Sequence, residues 1–440
     1  MSILHLNSGL AKAALVLVVI ATVSYYVNRR YLQPPLVMDG SSSHDFRPVA
    51  RRFKQIIESR SESGAGFAVY FKGEAVLEMT AGYRDLDYLV PWSHTTLAYG
   101  MSICKAVAAL CLAQLVDRGF ANYSEPVAKY WPEFGQAGKE SITLRQLLSH
   151  QAGLVGLDRR LKFSEIAENA PVVAEILAKQ KPALPLGTVA YHGLTFGLYA
   201  DQLIRRIDPK GRSIDQYFHE EIAKPASVEA YIGLSRYQFY RLARVHFSIG
   251  WNLLAQLLTL DIDALNSYLR PGLTKIGYLM SFEVIDTDVY LYRLNDPDVA
   301  ALPFSSVNLV TNAASLARLF SLIASNGTID GKRIIGPDTL AGLFDSNLTV
   351  STDFDPGNGL PVTVNAGFFV RRSPLGSTMI GHLGFGGQLV WSDLEHSVTI
   401  AYLTNHLRPC SPKRDWIHAQ LIESVYETIA KIAAKKKSKK

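Results

Sequence analysis

The sequence predicts an α+β fold: one antiparallel sheet built from strands at both ends of the chain and flanked by helices, with an α-rich subdomain beside it. Two observations carry this expectation. Short β-rich runs with glycine and polar turns lie between Phe67 and Met79 and again between Thr363 and Leu403. The stretch between them, Leu144 to Ile323, reads as mostly helical. Strands so far apart in sequence bury their apolar faces by pairing with one another, with the intervening helices packed alongside.

The elements follow in order. Residues 1–31 contain the apolar run Ala13 to Val27, with Lys12 before it and Arg29 and Arg30 after it. Tyr25 and Tyr26 beside a basic pair resemble an interfacial belt. The expectation is a single-pass N-terminal membrane anchor of open orientation. A cleaved signal peptide, a buried helix and an organelle presequence are the competing readings. Leu32 to Phe46 is rich in Pro, Gly and Ser and predicts a linker over 32–46. The body, 47–430, opens with a helix from about Arg47 to Ser59. Phe67 to Tyr70 and Ala75 to Met79 flank Lys72-Gly73-Glu74, a hairpin signal.

A helix is expected from about Ser102 to Arg118, stopped at Gly119. Its apolar positions Val107, Leu110, Cys111, Leu115 and Val116 leave few polar faces, so it should be buried. Thr363 to Val370, Thr378 to His382, Gln388 to Trp391 and Val398 to Leu403 read as strands. Trp416 to Ile432 returns to helical spacing at Ile417, Leu421, Val425, Ile429 and Ile432. Tyr231 to Ala301 matches no motif. The last residues, 431–440, read as a solvated basic tail.

Charge and cysteine content exclude several classes. The net charge of +6 is matched by the six lysines Lys431, Lys435, Lys436, Lys437, Lys439 and Lys440, so the body is close to neutral and implies no nucleic-acid groove. Cys104 and Cys111 are two helical turns apart, about 10 Å, too far for a disulfide. With Cys410 they form neither a disulfide framework nor a zinc site. The eleven histidines show no metal-binding spacing, and no cofactor or metal is expected. The sequence implies no oligomeric state.

Three groups of residues carry chemistry. Ser102-Ile103-Cys104-Lys105 opens a helix, and positions i and i+3 share one face, so the Lys105 amine reaches the Ser102 hydroxyl. A serine needs a base to become a nucleophile, and a lysine desolvated by burial supplies one. A lysine opening so apolar a helix is unusual for a solvated residue. Next comes Pro185-Leu-Gly-Thr-Val-Ala-Tyr191-His-Gly193, whose Tyr191 is a candidate acid and base; a core tyrosine is the plainer reading. The third group is Gly381-His382-Leu-Gly384-Phe385-Gly386-Gly387-Gln388. Its glycines permit close approach of a ligand or a neighbouring strand, and His382 on a strand edge is placed to meet a substrate carbonyl or carboxylate.

Together these groups resemble the serine β-lactamase-like family, which includes class C β-lactamases, D-alanyl-D-alanine carboxypeptidases and related esterases. The resemblance covers most of Phe67 to Tyr426. It extends to Gly82-Tyr-Arg-Asp85, Leu144-x-x-Leu147-Leu-Ser-His150-Gln-Ala-Gly-Leu154, Asn312-x-x-Ser-Leu-Ala317-Arg318 and Ala401-Tyr-Leu-Thr-Asn405. It implies a β-lactamase/transpeptidase-like fold, with 47–430 as the catalytic domain. Ser102 would carry the acyl group, Lys105 would activate it and Tyr191 would relay the proton. The amides of Ser102 and Phe385, beside Gly384, would form the oxyanion hole. His382 stands where many members have lysine, and Gly193 where they have asparagine. Both departures are similar to those of esterase-like members, and they weaken recognition of a substrate carboxylate. His150 would be structural.

The implied function is a serine hydrolase acting through an acyl-enzyme on an ester, amide or small peptide. The alternative is an inactive scaffold of the same fold, anchored at a membrane. Other hydrolase classes fail on the letters: Gly100-Met-Ser102-Ile-Cys104 lacks the final glycine of a nucleophile elbow.

Overall fold

A computed structural model describes residues 34–59, 62–247, 284–285, 290–291, 293–356, 361–408 and 416–438, with positions 16, 19 and 23. The main strands are β1 (Met38–Ser42), β2 (Gly64–Phe71), β3 (Glu74–Asp85), β4 (Ala98–Met101), β5 (Ala230–Ile232) and β6 (Leu309–Thr311). They continue with β7 (Val350–Thr352), β8 (Val362–Asn365), β9 (Phe368–Arg372), β10 (Thr378–Gly384), β11 (Gln388–Asp393) and β12 (Val398–Thr404). The main helices are α1 (Arg47–Glu58), α2 (Ile103–Asp117), α3 (Thr195–Ile207), α4 (Ala313–Ala324) and α5 (Trp416–Lys437).

The central sheet runs β1-β3-β2-β12-β11-β10-β9-β8-β7. Its pairs are antiparallel, and β2 meets β12 directly, with Ala65 opposite Thr404 and Phe71 opposite Val398. The two ends of the body therefore join in one sheet, as the sequence predicts. Lys72 and Gly73 turn β2 into β3 with φ of 55° and 82°, a backbone that the primed hairpin turns require.

Alternation divides the core into two layers. Ala65, Phe67 and Val69 on β2, with Val398, Ile400 and Tyr402 on β12, face α1 and α5. Those helices answer with Val49, Phe53, Ile56 and Ile57 and with Ile417, Leu421, Val425 and Ile429. Ala68, Tyr70, Ala401 and Leu403 face the opposite layer, which holds α2 and α4. Each large apolar side chain buried in this way contributes about 1.5–3 kcal/mol. Helix α2 is enclosed on every side: Ile103 through Leu115 are all buried. Whatever the first turn of α2 carries is therefore cut off from bulk water.

Several expectations need correction. The linker over 32–46 contains β1, paired to β3 from Met38–Ala81 to Ser42–Leu77. Its glycine serves the pairing, because a Cβ on Gly40 would stand 2.1 Å from the Glu78 carbonyl oxygen. The run Thr363 to Val370 is two strands, β8 and β9, split by Ala366 and Gly367 at φ 47° and 92°. The middle of the chain also holds a small sheet, β4-β6-β5, whose three- and four-residue strands are too short to show alternation. Of Tyr231 to Ala301, residues 248–283, 286–289 and 292 lie outside the described residues.

The expected tail from 431 continues α5 to Lys437. Lysines at a helix C-terminus oppose the negative end of its dipole, and Lys435 approaches Asp45 at 3.6 Å. The expected membrane anchor over residues 1–31 is also withdrawn. Among the described residues no helix is long and apolar enough to cross a membrane. The run Ala13 to Val27 lies almost wholly outside those residues.

Candidate active site

The site is built where β4 delivers the chain into α2. Met101 adopts φ 50°, a strained value for a side chain of its size, and Ser102 follows as the N-cap. Ser102 is half-buried. One turn later Lys105 is completely buried, and its Nζ lies 3.1 Å from Ser102 Oγ. The same Nζ donates to the Ser306 carbonyl at 2.7 Å. Ser306 is itself held, since its hydroxyl donates to the Leu194 carbonyl and accepts from the Gly197 N–H at 2.8 Å. Gly197 is required there, because a Cβ would stand 2.2 Å from the Ser306 nitrogen.

Burial fixes the charge state of the lysine. Loss of water pushes Lys105 down to about 7, since the low-dielectric interior penalises the ammonium. Near neutral pH a substantial fraction is the free amine, which accepts a proton.

Tyr191 comes from the segment between Pro185 and Leu194, which contains no helix or strand. Lys105 Nζ lies 5.0 Å from the centre of its ring. Burial raises the phenol well above its ordinary value, and a hydrogen bond with Ser102 partly offsets this. The side chain is therefore a neutral phenol, able to carry a proton rather than to wait as phenolate. The Tyr191 N–H donates to Asp355 Oδ2 at 3.0 Å.

Strand β10 brings the third group. The end of β10 abuts the bend, or elbow, at which β4 turns into α2: a Cβ on Gly384 would stand 2.3 Å from the Gly100 carbonyl oxygen. Phe385 follows in the turn to β11 and is 44% exposed. Beneath this turn Arg408 pairs with Glu62, and His418 Nε2 meets the Gly387 carbonyl at 3.0 Å. His382 is near Tyr191, with ring centres 6.1 Å apart, but it does not reach solvent. Its ring is wholly buried and stacked on Phe369 at 4.1 Å and 18°. Nδ1 donates to the Leu383 carbonyl at 2.5 Å. Burial and the Lys105 charge push the imidazole down to about 3, so it is neutral at every physiological pH.

The fold thus gathers Ser102, Lys105 and Tyr191 at one point, sets Gly384 and Phe385 beside the elbow, and keeps His382 behind Phe369. Sequence reasoning missed Ser306, Asp355, Phe369 and His192. Each acts through a backbone group or a ring face, and no residue pattern announces such a role.

A fold of this kind, with a serine and lysine on one turn of a helix packed against the central sheet, defines a class of serine hydrolases. The model of the family described as Beta-lactamase matches residues 49–423, and the chain belongs to that family. It is 31% identical to the esterase/beta-lactamase LipL of Mycobacterium tuberculosis, over 90% of this chain and 88% of that protein. Among solved structures it is similar to a family VIII carboxylesterase, with a TM-score of 0.76 and 26% identity over 89% of this chain and all of the other. A penicillin-binding protein homologue from Caulobacter crescentus gives a TM-score of 0.74 and 28% identity, with the same coverage.

Proposed function

We propose that the protein is an esterase-like member of this family, which cleaves an uncharged ester through a Ser102 acyl-enzyme. The observation that carries the reading is the Lys105 amine, 3.1 Å from the Ser102 hydroxyl and held near neutrality by burial. Neutral Lys105 takes the Ser102 proton as Oγ attacks the substrate carbonyl carbon. The amides of Ser102 and Phe385, at the N-terminus of α2 and beside Gly384, receive the oxyanion. Tyr191 passes a proton to the departing alkoxide and recovers it from the Lys105 ammonium. Water then enters by the reverse path and frees the acid.

The preference for an uncharged substrate rests on His382. A buried, neutral imidazole donating its one proton to the Leu383 carbonyl offers no charge to a substrate carboxylate. The similarity to a family VIII carboxylesterase supports this reading, and LipL is described as both esterase and beta-lactamase.

The test is covalent labelling. A fluorophosphonate should modify Ser102 and no other serine, as mapped by peptide mass spectrometry, with Ser102→Ala as control. A penicillin should label it far more slowly, because His382 offers its carboxylate no charge. Equal labelling by the two probes would refute the assignment of an uncharged substrate. No label from either on folded protein would refute the hydrolase mechanism.

A further inference from the structure

We propose that His150 and Asp355 form a clamp that fixes Tyr191 in register with Ser102 and Lys105, so that both are positioning residues for acyl transfer. The inference rests on the reading of Tyr191 as proton relay. Three consecutive amides around the tyrosine are held by these two residues alone. The Ala190 N–H donates to the His150 carbonyl at 2.9 Å. The Tyr191 N–H donates to Asp355 Oδ2 at 3.0 Å. The His192 N–H donates to His150 Nδ1 at 3.1 Å. The His150 ring also meets the Tyr191 ring edge-on, with centres 4.9 Å apart. Backbone and side chain are gripped together.

The clamp answers a need. Tyr191 has no strand ladder or helix to fix it, and Gly193 follows two residues later. A proton relay tolerates little displacement, because a misplacement of 1 Å costs on the order of 10²-fold in rate.

The state of the histidine follows from its neighbours. The Leu154 N–H donates to His192 Nε2 at 3.0 Å, so the His192 proton sits on Nδ1. That nitrogen faces His150 Nδ1 at 3.2 Å. The one lone pair of His150 Nδ1 accepts from the His192 N–H, so its own proton is on Nε2. Both rings are completely buried, and desolvation keeps both neutral. His150 is thus a fixed acceptor. It holds this place at φ 59°, in the left-handed region that few side chains adopt. An apolar residue would pack against Tyr191 as well, but would leave the His192 amide unmet.

The experiment is a double-mutant cycle on ester turnover. His150→Ala should lower kcat by about 10- to 100-fold with little change in KM, the signature of a misplaced group. His150→Asn should restore most of the loss, since its Oδ1 replaces Nδ1 as acceptor and asparagine accepts positive φ. In a Tyr191→Phe background His150→Ala should lower kcat no further. Equal losses in both backgrounds, or a normal kcat per folded molecule in His150→Ala, would overturn the clamp. If His150→Ala does not fold, Asp355→Ala against Asp355→Asn repeats the cycle from the other side. Full activity in Tyr191→Phe alone would instead sink the relay, which keeps the two failures apart.

Discussion

Lys105 stands at the point where stability and activity oppose each other. Its amine is useful because burial has taken its charge away, and the same burial makes the ammonium costly. The folded-state value near 7 lies below the ordinary 10.5. Between those two pH values the unfolded chain holds a proton that the folded chain lacks, so this residue makes stability rise with pH across that window. Below it the penalty is fully present. Activity follows the free amine, so kcat/KM should climb as pH passes about 7 and then level off. A pH–rate profile without that limb would remove Lys105 as the base. Lys105→Met should lose turnover by at least about 10²-fold yet melt no lower than the parent at pH 6.5, because a neutral side chain of similar length replaces a desolvated ammonium. Differential scanning fluorimetry beside an ester assay reads both effects.

At the scale of elements, the site depends on how closely two of them approach. Strand β10 ends against the turn that launches α2, and Gly384 makes the contact possible. Gly384→Ala should push the strand off the elbow, displace the Phe385 amide, and lower kcat by about 10²-fold or more, the cost of losing one oxyanion donor. Circular dichroism should show the sheet intact, since the Gly384–Gln388 pair is the last of the β10–β11 ladder. Wild-type turnover in this variant would mean that the amide is not used.

The same elements show what a sequence reveals. Ser102 and Lys105 were legible because their relation is local, three residues on one helical face. The glycines from 381 to 387 were legible as a place of close approach, as Gly381 against the Val390 carbonyl bears out, but the contact of Gly384 with Gly100 was not, since it is reached only through the sheet. His150 and Asp355 were invisible as partners of Tyr191. They stand 42 residues from His192 and 164 residues from Tyr191 in the chain, and they act through amides. The Ala366-Gly367 turn escaped for another reason: alanine gives no sign that its backbone will turn left-handed. The charge state of His382 depends on the stacking of Phe369 from another strand, a fact of packing and not of motif.

For the whole molecule, closure depends on α5. Tyr426 reaches from this helix to the far end of β11, where its hydroxyl donates to Asp393 Oδ2 at 2.7 Å. Ser377 donates to the same oxygen, and His396 Nδ1 lies 3.1 Å from it. All of this is remote from Ser102. Tyr426→Phe should therefore cost about 1.5–3 kcal/mol of stability, the value of a hydrogen bond to a charged group, with kcat of the folded enzyme unchanged. Urea unfolding followed by fluorescence checks the first part and the ester assay the second. A loss under about 0.5 kcal/mol would show that the remaining donors satisfy the carboxylate without it.

The pairing of β2 with β12 also sets a timetable for synthesis. Gly64 to Phe71 leave the ribosome early, but their partner from Val398 to Thr404 is among the last parts of the body to emerge. Until then the first hairpin has an open edge, and the β10 rim of the site has not been made. The nascent chain must wait with Ser102 and Lys105 already translated and their enclosure incomplete. Such long-range pairings are slow to form and expose apolar edges in the interval, so the order of the strands sets how long the unfinished chain carries an unpaired edge.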